Sequence, residues 1–311
     1  MGSASDSGFS GSEPYLIGYG GRWPDVTWPN GARVAVSLVV NYEEGAERST
    51  ANADSVGERA GEVPSSVPAG IPDLAMDQTF AYGPRAGIWR VMDMLERFDV
   101  HATFLFCGRA VERTPELASL AVARGHEGAC HGYRWTNHAL FGSEAEEEES
   151  LRRAIAAMVA AGCGRPLGFY GRWGPSPATR RILARLGFLY DSNAYDDDLP
   201  YYDHSVGPSP MLVIPYALDT NDWKFFEGDP WGTARAYLDY LQCSLEVLLE
   251  EGARGVPRIL NVGLHPRIIG RPGRCWALNG FLEHLQSLGS RVWVARRIHI
   301  ARHWLAQVPH G

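Results

Sequence analysis

No CxxC pair occurs in this chain, and its five cysteines (positions 107, 130, 163, 243 and 275) are odd in number and widely scattered. That usage argues against a disulfide framework and for buried thiols in a reducing, cytoplasmic compartment. No stretch approaches the roughly 18–20 uninterrupted apolar residues of a membrane span. The start, "MGSASDSGFSGSEPYL", lacks the basic and apolar regions of a secretory signal, and Asp6 stands where a myristoylation motif needs Ser or Thr. Residues 1–14 are expected to form a flexible Gly/Ser-rich tail ahead of a single domain over 15–311. An excess of basic charge is missing too. The net charge of -7 argues against a general nucleic-acid binder and leaves no polybasic patch for a membrane surface. No GxGxxG or Walker loop opens a helix, so the nucleotide ligand of a doubly wound sheet has no support. No internal repeat is present.

What remains is a chain of 311 residues, 45% hydrophobic and 21% charged, long enough to bury a large core. "ARVAVSLVVNYEE" (32–44) is a β-rich apolar run that ends abruptly in two carboxylates. Helical spacing and short buried strands then alternate: "GIWRVMDMLERFD", "ATFLFCG", "VERTPELASLAVARG", "HEGACHGY". The next helix, "SEAEEEESLRRAIAAMVAAG", opens with a capping box of Ser143 and Glu146 and closes on Gly162. The alternation continues to a final strand, "RVWVARR", and a final helix, "IHIARHWLAQ". About seven or eight such units over roughly 280 residues suit a closed or nearly closed (β/α) barrel. An open doubly wound sheet is the alternative. The long irregular stretch 47–78 directly follows the glutamate pair and is expected to be a lid or specificity loop.

Active sites of such barrels form at the C-terminal ends of the strands. Polar residues collect at those ends here: Glu43 and Glu44, His131 and Arg134, Arg172, Asp191, then Asp219, Asn221 and Asp222, and His265. Each alone reads as a solvated turn; several ends together predict one shared site. Adjacent carboxylates can divide the work, one taking a water proton while the other binds a metal or sets its neighbour's pKa. A histidine across the barrel, His265, can donate a proton to a leaving nitrogen. These are the parts needed to hydrolyse an amide by attack of water.

The stretches "NYEEGAE", "ATFLFCGRAVERTPEL", "HEGACHGYRW", "RILARLGFLYDSNAYDDDLPYY", "LDTNDWKF" and "LHPRIIGRPGR" resemble the polysaccharide-deacetylase (NodB-like) superfamily. They are most similar to its branch of PuuE-type allantoinases, cyclic imide hydrolases and a related peptidoglycan deacetylase, over roughly residues 15–307. The resemblance implies a distorted (β/α) barrel of about seven strands, hydrolysis of a non-peptide C–N bond, and a homotetramer. It also implies Glu43 as base, Glu44 at a metal-ligand position and His131 as the first histidine of an HxxxH metal motif. His265 becomes the acid of the Leu-His-Pro motif, supported by Asp191.

The second metal histidine would stand at position 135, where this chain has Trp135, and an indole cannot bind Zn²⁺. The resemblance therefore implies catalysis without a metal cofactor. A divalent metal such as zinc on Glu44, His131 and His138 is the alternative. Arg172 in "FYGRWGPSP" departs from the deacetylase pattern and fits a small planar substrate held by Arg172, Trp135 and the 47–78 loop, with Glu44 and Arg134 beside it. The expected function is opening of a cyclic amide, a hydantoin such as allantoin or a cyclic imide, by Glu43 and His265, with His131 steadying the oxyanion. The alternative is N-deacetylation of an amino sugar or acylated small molecule. A catalytically silent binding protein ranks last.

Overall fold

The structure, a computed structural model, describes residues 16–59, 61–226 and 232–310. The tail expected over 1–14 lies outside the described residues. Among the described residues nine strands form one sheet: β1 Val34–Tyr42, β2 Thr103–Phe106, β3 Glu127–Cys130, β4 Gly168–Phe169, β5 Tyr190–Asp191, β6 Tyr201–Asp203, β7 Met211–Val213, β8 Arg258–Leu264 and β9 Val292–Val294. Their order is β6-β7-β5-β4-β3-β2-β1-β8, with β9 also on β1. Every pairing is parallel except β6–β7. The chain thus has the expected distorted (β/α) barrel fold, with two strands more than the seven or so expected. β6 is the antiparallel addition. It arises in the aromatic "YDDDLPYYDH" stretch, which carries no alternation of its own.

β1 is central, and all nine of its residues are buried. Its Val/Leu-rich run reads that way because a parallel strand is covered on both faces. Each such side chain contributes roughly 1.5–3 kcal/mol by leaving water. The later half of β1, Val39–Tyr42, pairs with β2, while its first three residues, Val34–Val36, take β9. That shared edge is one source of the distortion.

The other lies opposite, where β7 and β8 do not pair as strands. Asn221 bridges Gly263, and Ile259 N donates to Asp198 O at 3.2 Å. Arg297, fully buried, spans this seam from inside. It donates from Nε to Ser192 Oγ at 3.0 Å, from Nη1 to Asn261 Oδ1 at 2.6 Å, and from Nη2 to the carbonyls of Ile214 and Pro215. A single guanidinium so takes the place of a missing strand ladder.

The helices are α1 Leu74–Tyr82, α2 Ile88–Arg97, α3 Gly108–Arg113, α4 Pro115–Ala123, α5 Glu144–Ala160, α6 Thr179–Arg185, α7 Ala234–Ala253, α8 Pro266–Ile269, α9 Pro272–Leu288 and α10 Arg297–Gln307. Ser143 caps α5 by accepting from Glu146 N at 3.2 Å. The irregular stretch is shorter than expected, because α1 starts at Leu74 under an Asp73 cap that accepts from Met76 N at 3.0 Å. α1 then runs through a π-type turn, Gly83–Gly87, into α2.

Candidate active site

Three side chains delivered by different strand ends meet at Glu43. His131, one residue beyond β3, places Nε2 3.1 Å from Glu43 Oε1. Its Nδ1 donates to the carbonyl of Tyr170, which fixes the ring, and the imidazole lies nearly parallel to the Tyr170 ring. Gly132 follows at φ +80°, a left-handed turn that lets the chain leave the strand end at once. His265, one residue beyond β8, places Nε2 3.3 Å from the same Oε1. Its Nδ1 holds Asp222 Oδ1 at 2.6 Å. The other oxygen, Asp222 Oδ2, accepts from the backbone of His265 and Ile269 at 2.8 and 3.1 Å. Asp222 therefore fixes both the ring and the start of α8.

Arg267 completes the group. Its Nη2 is 2.7 Å from Glu43 Oε2 and its Nη1 3.4 Å from Glu44 Oε1. The closer of the two contacts, to Glu43, is a fully buried ion pair. The guanidinium is packed among rings, 4.5 Å from Phe80, 5.1 Å from Trp135 and 5.7 Å from Trp223.

These contacts set the charges. Burial pushes the Glu43 carboxyl up, but Arg267, His265 and the hydrogen bond to His131 outweigh it and hold it well below its usual range. Burial would lower His265, yet Glu43 and Asp222 raise it to about 9. At neutral pH the pair is a carboxylate beside an imidazolium: a proton acceptor and a proton donor facing one opening. Burial lifts Glu44 to about 7, against the pull of Arg267 and with Glu43 adding to the rise.

The opening is a cleft of about 250 Å³. Glu43, His131, His265 and Asn41 lie among its lining residues, Trp135, Trp173, Trp223, Tyr170 and Tyr195 supply aromatic wall, and Arg172 and Lys224 add positive charge. The indole of Trp135 stands 6.2 Å from Trp173 and 5.7 Å from Trp223, each tilted by about 60°. Trp173 holds this place at φ +51°, a backbone region that bulky residues rarely adopt. Arg172 lies over Trp135 at 3.6 Å and pairs with Glu58 Oε2 at 2.7 Å, so the loop after β1 contacts a residue of the cleft wall without itself being among the lining residues.

Of the residues expected from sequence, Glu43, His131, His265, Trp135 and Arg172 are brought together here. Four are not. Asp191 does not reach His265: it pairs with Arg180 Nε at 2.8 Å and accepts from Asn193, and Asp222 stands where it was expected. Arg134 is not a cleft residue. It staples the loop, donating to the carbonyls of Ala46 and Glu47 at 2.9 and 2.8 Å and pairing with Asp54. Glu44 is not among the residues that line the cleft; it accepts from the backbone N–H groups of Glu43 and Arg267, with Gly83 pressed against it where any side chain would clash. His138 points to Glu147 on α5, its Nδ1 3.0 Å from Oε1.

The alternative metal set of Glu44, His131 and His138 is therefore not assembled. Among the described residues no three His, Cys, Asp or Glu side chains converge on a point that could hold a metal ion. Trp135 offers no donor, and the cation of Arg267 already sits against both glutamates. The residues present do not fit a metal centre.

Sequence reading named Asp222 only as one strand-end polar residue among several, and Arg267 not at all. Spacing offered a signal for Asp222, the second residue after "LDT". It offered none for Arg267.

The chain as a whole is similar to known proteins. A polysaccharide deacetylase family model matches residues 73–190. A putative polysaccharide deacetylase of Schizosaccharomyces pombe is 33% identical, over 95% of this chain and 98% of that protein. Among solved structures, a probable polysaccharide deacetylase from Pseudomonas aeruginosa PAO1 is 41% identical with a TM-score of 0.91, covering 96% of this chain and all of that one (100%). PuuE allantoinase is equally similar, at 41% identity and a TM-score of 0.91 over 96% of this chain and 99% of its own. Similar to these proteins over nearly its whole length and with a barrel of the same shape, this chain belongs to the polysaccharide deacetylase family and is a hydrolase of non-peptide carbon–nitrogen bonds.

Proposed function

We propose that this enzyme opens a small cyclic amide, a hydantoin such as allantoin or a cyclic imide, without a metal cofactor. The observation that carries the reading is the cleft itself: about 250 Å³, walled by three indoles, with Glu43 and His265 among its lining residues. A flat ring suits such walls, whereas a sugar chain needs an open groove. The similarity to PuuE allantoinase supports the same class.

In this reading Glu43 takes a proton from water as the oxygen bonds to the ring carbonyl carbon. His131 and the cations of the cleft steady the developing oxyanion. His265 gives its Nε2 proton to the ring nitrogen as the C–N bond breaks, leaving a carboxylic acid and, on the departing nitrogen, a ureido group from a hydantoin or a primary amide from an imide. The proton on Glu43 then passes to His265 across their 3.3 Å contact, which restores both groups. Five free cysteines, three of them buried, fit a reducing, cytoplasmic setting.

The test is turnover of allantoin, hydantoin, succinimide and an acetylated chito-oligomer, each with and without chelator. Ring opening that survives chelation is expected. Turnover of the chito-oligomer alone would instead favour N-deacetylation, and loss on chelation with recovery on Zn²⁺ or Mn²⁺ would overturn the metal-free mechanism. The homotetramer expected from the family resemblance belongs to the same reading; light scattering showing a monomer at micromolar concentration would remove it.

A further inference from the structure

Arg267 is 1% exposed and is not among the residues that line the cleft. It reaches Glu43 Oε2 at 2.7 Å and Glu44 Oε1 at 3.4 Å, and three aromatic rings enclose it. One of those rings is Trp135, at 5.1 Å. Its Nε has no hydrogen-bond partner among the described residues, so the side chain is held by the two carboxylates and by ring faces. Two adjacent buried carboxylates need a positive charge between them, and an arginine, weakly hydrated and flat, tolerates such burial better than a lysine.

We propose that Arg267 is the built-in cation of this site, standing between Glu43, Glu44 and the residue at position 135 so that no metal ion can enter. It is a positioning residue that acts through Glu43: the ion pair turns Oε2 inward and leaves Oε1 for the two histidines and for water. The tryptophan and the arginine then form one unit. The indole at position 135 removes a ligand, and its ring face supports the guanidinium that supplies the charge. The role given to Arg267 rests on Glu43 being the base, whereas its occupancy of the metal's place does not.

Zinc uptake tests the occupancy without any substrate. Trp135→His alone restores a ligand but leaves Arg267 in place, so after incubation with zinc and desalting it should carry no more metal than wild type. Trp135→His combined with Arg267→Met should retain near-stoichiometric zinc by elemental analysis. Equal uptake by the single and double variants, or none by the double, would overturn the proposal. Should the double variant fail to fold, Arg267→Ala gives a second reading. Millimolar guanidinium chloride should raise its melting temperature relative to the same concentration of sodium chloride, with no such rise in wild type; absence of the rise counts against the proposal. Because neither readout uses turnover, a failure of the cyclic-amide reading is seen separately, in the substrate panel.

Discussion

His265 touches two carboxylates at once: Nδ1 holds Asp222 at 2.6 Å and Nε2 faces Glu43 at 3.3 Å. The first contact orients the ring and the second points its proton at the cleft. Glu43→Gln keeps the shape but cannot accept a proton, and His265→Ala removes the donor. Each should lower kcat by about 10²–10⁴-fold, the usual worth of general acid or base help. Unchanged far-UV circular dichroism would show the fold intact, and a variant keeping a tenth of wild-type kcat would refute that role.

Asp222→Asn addresses pH. His265 is raised from its ordinary 6.5 to about 9 by Glu43 and Asp222, so the wild-type acid stays protonated until pH climbs through about 9. Loss of the Asp222 charge should move the alkaline limb of kcat/KM to lower pH. The linkage runs the same way: a histidine raised in the folded state stabilises the fold fully below about 6.5 and loses that contribution as pH rises through about 9. Melting curves of wild type and variant should therefore differ most at the acid end of this window. An unmoved limb would mean that Asp222 is only structural.

The two arginines near the loop should separate. Arg172, over Trp135 and paired with Glu58, reaches the cleft. Arg172→Ala should raise KM about 10-fold or more with a smaller change in kcat, as expected for lost ground-state contact. Arg134 holds only loop carbonyls and Asp54. Arg134→Ala should expose residues 46–54 to limited proteolysis and leave the acid–base pH profile in place. If Arg134→Ala instead reproduced the Arg172 kinetics without loop cleavage, the division would be wrong.

Arg297→Met tests the seam between β7 and β8. It would strand Asn261 Oδ1 and two buried carbonyls that now share one guanidinium. Breaking such a network costs about 3–5 kcal/mol, so a large drop in denaturant midpoint is expected. A loss within about 0.5 kcal/mol, the scale of an ordinary surface change, would show that the seam does not depend on it.

Much of this site was legible because strand ends are local features. The apolar run of β1 stops at Glu43 and Glu44, and β8 stops at His265, so the strand ends alone mark these residues as candidates, while the division into base and acid rests on the family resemblance. What was lost depends on contacts between distant segments. Asp191 occupies a strand end like the others, but Arg180 on α6 turns its carboxylate away, whereas Asp222 is bound to His265 across 43 residues. Arg267 in "LHPRIIG" reads as a turn residue until Phe80, Trp135 and Trp223 close around it from three separate elements. α1 lies partly inside the stretch 47–78 expected to be irregular; the π-type turn Gly83–Gly87, which contains Pro84, carries the helical path on into α2.

Lys224 has a consequence of another kind. Of the 29 basic residues in the chain it is the one lysine, and it lines the cleft. Apart from the amino terminus, the protein therefore carries its only primary amine within the cleft. An amine-directed label followed by peptide mass mapping becomes a reporter of occupancy: a ring bound among the indoles should slow labelling at Lys224. Compounds can then be ranked by the protection they give, before any of them is turned over.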